Sequence, residues 1–188
     1  MSGITAEAVV IGASAGALEA LSVILPALPA SYRLPVIVVV HVPPDRRSVL
    51  AELFRTKCLV SVREAEDKEP IVGGTVYFAP PDYHLLVEKG DCLSLSSDEP
   101  VFYSRPSIDV LFESASDAYG SGLIAVILTG ASQDGAVGLR AVADAGGLAI
   151  VQDPDHAFAR TMPEAALAMC SEARVLSLDG IAAYLQKV

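Results

Sequence analysis

Residues 8–21, AVVIGASAGALEAL, constrain the fold more than any other stretch of the chain. An apolar run of strand type meets a glycine-serine-glycine bend, and a helical pattern follows at once. Leu18, Leu21, Leu25 and Leu28 recur every three or four residues, which predicts one buried helical face. The bend reads G-x-S-x-G from Gly12 to Gly16. Its glycines allow a sharp turn and keep side chains away from Ser14. The hydroxyl would then stand at the mouth of a helix, where backbone N–H groups can hold an oxyanion. Three readings stay open for this turn. Ser14 is a nucleophile, or it caps the helix, although Ala17 stands where a capping box wants Glu or Gln. The third is a phosphate loop, a near miss to G-x-G-x-x-G. That reading wants an acidic residue at the end of the second strand, where this chain has His41.

The rest of the chain alternates in the same way. Residues 35–41 form an unbroken apolar strand, as expected of a parallel strand covered on both faces. A strand, a helix and a second strand in succession make a right-handed crossover within one parallel sheet. A polar helix is predicted over 45–55 and a short strand over 60–63. Short strands over 75–79, 84–88 and 92–95 suggest a small antiparallel hairpin inserted into the sheet or appended to it. Pro106 then opens a helix with Ile108, Leu111, Phe112, Ala115 and Tyr119 as its buried stripe. Strands over 123–128, 148–151 and 175–176 alternate with helices over 134–145, 163–169 and 181–185. The predicted class is α/β, a doubly wound, mostly parallel sheet with a small antiparallel β-hairpin insertion. One domain over 1–188 is expected at this length.

Composition narrows the function classes. Hydrophobic residues make up 52% and charged residues 19%, which excludes a disordered chain. No apolar run is long enough to span a bilayer, and residues 1–7 are too short and polar for a secretion signal. Cys58, Cys92 and Cys170 are scattered without a C-x-x-C pair, so neither metal ligation nor a disulfide framework is expected, and a cytoplasmic location is. The net charge of −10 argues against nucleic acid as partner. A protein or small-molecule substrate remains.

Ligands of doubly wound sheets bind outside the carboxyl ends of the strands. Ser14 follows the first predicted strand, His41 closes the second, and Asp134 lies in the T-G-A-S-Q-D-G segment after the strand ending at Leu128. Serine, histidine and aspartate at three strand ends can converge as a triad. His41 would take the Ser14 proton and Asp134 would orient the imidazolium. Each has a structural alternative: His41 as a satisfied hydrogen-bonding residue, Asp134 as a helix N-cap. Asp153 rivals Asp134 as the orienting carboxylate, while His84 and His156 lie in a predicted hairpin strand and a polar loop. The order Ser, His, Asp differs from the Ser, acid, His order of α/β-hydrolases.

The chain resembles the catalytic domain of the CheB-type chemotaxis methylesterases from about residue 8 to residue 185. The likeness rests on IGASAGALEAL, VVVHVPP, VYFAPPDYHLLV, RPSIDVLFESA, ILTGASQDGAVGLRA, and QDP followed by MPEAA, six motifs in the same order. It implies hydrolysis of glutamate γ-methyl esters on the cytoplasmic helices of chemoreceptors, often with deamidation of receptor glutamines, and no metal or cofactor. By motif position the family's catalytic residues fall on Ser14, His41 and Asp134. The oxyanion donors fall on the backbone N–H groups of Ala15 and Ala131. Arg105 and Met162 are expected near the receptor. The chain departs from the family pattern at Ala15, where a threonine is usual, at Ala17, where a glycine is common, and at Ala131, where a methionine is common. Family members commonly carry an N-terminal phospho-receiver domain, whereas this chain starts directly at the first strand. A stand-alone enzyme controlled by other means, such as a regulatory protein in trans, or an excised domain is therefore expected. Two other classes stay open: a non-catalytic signalling or binding module of the same fold, and a nucleotide-binding domain.

Overall fold

A computed structural model describes residues 5–42 and 49–188. Seven parallel strands form one sheet in the order β3-β4-β2-β1-β7-β8-β9. These are β1 (Ala8–Ala13), β2 (Val36–Val40), β3 (Ser61–Glu64), β4 (Thr75–Phe78), β7 (Leu123–Ile127), β8 (Leu148–Gln152) and β9 (Arg174–Leu176). The two remaining strands, β5 (His84–Glu88) and β6 (Cys92–Ser96), pair antiparallel as a separate hairpin. β1, β2, β7 and β8 are buried along their whole length, which is why they read as continuous apolar runs.

Helices cover both faces. α1 (Ala17–Ile24), α2 (Leu50–Arg55) and α6 (Leu178–Leu185) pack over one core, with alternate strand residues Val9, Ile11 and Ala13. α3 (Ile108–Tyr119), α4 (Ala136–Asp144) and α5 (Thr161–Met169) pack over the other, with Ala8 and Val10. The hairpin lies on this second face, where the Ser114 hydroxyl of α3 accepts a hydrogen bond from the Val87 N–H at 3.1 Å. From β1 the chain builds outward first to β2 and later, on the other side, to β7. The sheet's switch point therefore falls between β1 and β7, the place where such folds bind ligands.

Three expectations need correction. The strand over 75–79 does not belong to the hairpin: β4 lies parallel between β2 and β3. A four-residue apolar run encodes a strand but not its partner. Of the predicted stripe, Leu21, Leu25 and Leu28 are fully buried but Leu18 is 42% exposed, and Ala17, Ala20 and Ile24 complete the buried face of α1 beside Leu21. The helix expected over 134–145 begins at Ala136, with Gly135 as its N-cap. The first residues of the helix predicted over 45–55 lie outside the described residues; α2 covers the remainder. Among the described residues, no helix is long and apolar enough to cross a membrane.

Candidate active site

Strand register brings the first two residues together. Ala13 of β1 faces Val40 of β2, so Ser14 and His41 are the next pair along adjacent strands. The His41 N–H donates to the Ala13 carbonyl at 3.2 Å, and the Ser14 N–H donates to the Thr129 carbonyl beyond β7 at 2.9 Å. Three strand ends are thus laced side by side at the switch point. Ser14 does not cap α1. That position belongs to Gly16, at φ 84°, with no side-chain cap. A Cβ at Gly16 would lie 2.7 Å from that of Phe158, so the bend needs glycine for both conformation and space. Among the described residues nothing hydrogen-bonds the Ser14 hydroxyl.

Asp134 does not cap its own helix either. Its carboxylate crosses to the N-terminus of α3, 25–27 residues away in sequence. Oδ1 accepts from the Ser107 hydroxyl (2.8 Å) and the Asp109 N–H (3.0 Å). Oδ2 accepts from the Ile108 N–H (2.7 Å) and from Nε2 of His41 (2.8 Å). Burial would raise the Asp134 pKa, but the His41 hydrogen bond and the Asp109 and Ile108 N–H groups hold it below the usual value. The positive end of the α3 dipole favours the same ionised form. An ionised carboxylate can only accept, so Nε2 of His41 carries a hydrogen, and in the neutral ring that leaves the lone pair on Nδ1.

Asp109 returns the exchange. Its Oδ1 accepts from the Gly135 and Gly138 N–H groups at 3.0 and 2.7 Å, satisfying donors at the start of α4 that no other cap reaches. Burial pushes its carboxyl up to about 6. Alanine at 109 should destabilise the fold by about 2–4 kcal/mol in urea unfolding, since two buried donors lose their acceptor. Asparagine keeps an acceptor oxygen and should lose less. The raised pKa means the folded state binds this proton more tightly than the unfolded chain. The Asp109 contribution to stability therefore falls as pH rises from about 4 to about 6, and that slope should vanish in Asp109→Asn.

Gly12 lies beneath this assembly. A Cβ there would come within 2.4 Å of Ile108 Cγ2, on the residue whose N–H holds Asp134. Gly12→Ala should destabilise by about 1–3 kcal/mol through overpacking and lower turnover as α3 is pushed off the sheet. Denaturant melts and rate assays check both.

The other predicted residues sort clearly. The Ala15 and Ala131 N–H groups have no acceptor among the described residues. The loop carrying Ala131 is shaped by the Ser132 hydroxyl, which accepts from the Asp134 N–H at 3.1 Å, and by buried Gln152, whose Oε1 accepts from the Thr129 N–H at 2.8 Å. Arg105 lines a cleft of about 110 Å³ beside His41. Its guanidinium is engaged by Asp82 (2.6 and 3.1 Å) and by the Ser97 and Asp98 carbonyls, so it braces the wall. Met162 is 1% exposed and lies against Gly130, where a Cβ would meet its Cε at 2.6 Å. It supports the loop from inside. Asp153 bonds His156 and the Asp155 N–H, not His41. Buried His84 accepts from the Ser107 N–H at Nδ1, which leaves Nε2 to donate to the Glu99 carbonyl.

Ser107, Asp109 and Gln152 escaped the sequence reading. A serine just after Pro106 was a visible capping signal for α3. Nothing local pointed Asp109 at α4 or Gln152 at Thr129.

Residues 9–185 match the CheB methylesterase family. The chain belongs to that family. A relative from Leptospira interrogans, whose name carries both protein-glutamate methylesterase and protein-glutamine glutaminase, is 48% identical over 94% of this chain and 91% of its own. The protein-glutamate methylesterase/protein-glutamine glutaminase of Archaeoglobus fulgidus is 40% identical over 85% of this chain, but the match spans only 46% of that protein. The crystal structure of the Thermotoga maritima CheB methylesterase catalytic domain superposes with a TM-score of 0.92 at 33% identity, covering 98% of this chain and 99% of that one. The parallel sheet with its separate hairpin is thus the CheB catalytic-domain fold.

Proposed function

We propose that this chain, acting over 1–188 as one catalytic domain, is a serine hydrolase that removes methyl groups from glutamate γ-methyl esters of chemoreceptors. The observation that carries the reading is the His41–Asp134 hydrogen bond (2.8 Å), one register step from Ser14, in a member of the CheB methylesterase family. Ser14 attacks the ester carbonyl while Nδ1 of His41 takes its proton, and Asp134 stabilises the imidazolium. The Ala15 and Ala131 N–H groups hold the oxyanion. Methanol leaves with the proton from His41. Water, deprotonated at Nδ1, then releases the glutamate carboxylate. The same steps on a glutamine side chain release ammonia, in keeping with the second half of the relatives' names. Side chains and backbone supply every group that these steps use. The substrate is the cytoplasmic helical region of the receptor, which places the reaction in the cytoplasm.

Incubation with methylated receptor cytoplasmic fragments should release methanol. A folded protein that releases none from several receptors would overturn the reading in favour of a binding module.

A further inference from the structure

The loop between β6 and α3 turns back on itself at its outer end. Val101 and Ser104 exchange two backbone hydrogen bonds, N–H to carbonyl at 3.1 and 2.9 Å. The two residues between them, Phe102 and Tyr103, have φ of 47° and 61°. Two successive positive φ values mark the turn type that favours Asn-Gly, and bulky side chains are rare there. Burial does not compensate the strain: Phe102 is 44% exposed and Tyr103 entirely so. Strain of this kind persists where it serves a site.

The site is adjacent. Tyr103, Ser104 and Arg105 line the same cleft as His41. The Arg105 clamp to Asp82 and to the Ser97 and Asp98 carbonyls holds the turn in place. On the other side Phe158, 83% exposed, lies over the Gly16 bend that follows Ser14. Exposed Tyr103 therefore lines the cleft beside the base, and exposed Phe158 lies on the bend that follows the nucleophile.

We propose that Tyr103, presented by the turn it shares with Phe102, and Phe158 form an aromatic rim that selects a helical polypeptide substrate, gripping apolar side chains beside the esterified glutamate. The inference rests on the methylesterase reading and names how that substrate is chosen. The cleft beside His41, about 110 Å³, is far smaller than a pocket for a drug-sized ligand. Selection among proteins must then come from surfaces outside it. A net charge of −10 gives no general attraction for a glutamate-rich helix, which leaves apolar contact to supply affinity. Rigid aromatic groups provide such contact with little loss of conformational freedom.

The test is a pair of variants, Phe102→Asn with Tyr103→Gly, and separately Phe158→Ser. Each is assayed on methylated receptor fragments and on p-nitrophenyl acetate. The Asn-Gly turn should raise Tm, which separates lost recognition from misfolding. Each variant should raise KM for the receptor, lowering the ratio of receptor to small-ester kcat/KM by roughly tenfold or more. Variants that keep the wild-type ratio would overturn the rim while leaving the methylesterase reading intact. A wild type that splits the small ester but no receptor ester would overturn both.

Discussion

Ser14→Ala should abolish methanol release while leaving the fold in place. Loss of a serine nucleophile from such a triad lowers kcat by about 10⁴- to 10⁶-fold. The fold should hardly notice. The backbone groups of Ser14 bond Thr129 and Ala17, and alanine keeps both bonds. The hydroxyl has no partner among the described residues, so nothing is left unsatisfied. Thermal unfolding should shift by no more than about 2 °C, the scale of a few tenths of a kcal/mol for a chain of this size. A variant retaining more than about 1% of wild-type turnover would remove Ser14 as the nucleophile.

Asp134→Asn should damage both activity and stability, and the contrast with Ser14→Ala is diagnostic. Four donors converge on the carboxylate, two at each oxygen. An amide has one oxygen and one NH2 group, so either orientation sets its NH2 against two donors. If the NH2 faces His41, the ring must offer Nε2 as an acceptor, and Nδ1 then carries the hydrogen and cannot serve as base. The wrong tautomer lowers kcat by about 10⁴-fold. If the NH2 faces Ser107 and Asp109, the Asp109 N–H loses its acceptor and the Ser107 hydroxyl can no longer donate to residue 134. Each buried donor left unpaired costs about 1–3 kcal/mol, so urea unfolding should show a loss of about 2–5 kcal/mol. The wild type carries the matching acid signature. The folded pKa of Asp134 is depressed, so its contribution is present above the unfolded value and is lost as pH falls through the folded one. That sign opposes the Asp109 slope nearer pH 6. An asparagine variant with wild-type stability and turnover would sink both roles.

Much of the site was legible in the chain. Buried parallel strands write themselves as apolar runs, and residues at their carboxyl ends become candidates by position alone. That logic found Ser14, His41 and Asp134, whose relative placement follows from strand register. It could not choose between Asp134 and Asp153, because both follow buried strands. The difference is a hydrogen bond to His41 across 93 residues of sequence. Nor could it assign Arg105 or Met162. One is clamped by a turn 23 residues upstream, and the other is buried against Gly130, in a loop distant in sequence.

By itself the sequence determined the element types, the glycine bend that presents Ser14, and the strand ends that carry the polar groups. These depend on hydrophobic period and on the conformational needs of single residues, both of which are local. Only the tertiary structure decided that β4 joins the parallel sheet, that Asp134 binds the first turn of α3 while Asp109 binds that of α4, and that Tyr103 lines the cleft beside His41. Those outcomes depend on which distant segments meet, and a polar side chain carries no local mark of the partner that will satisfy it once water is excluded.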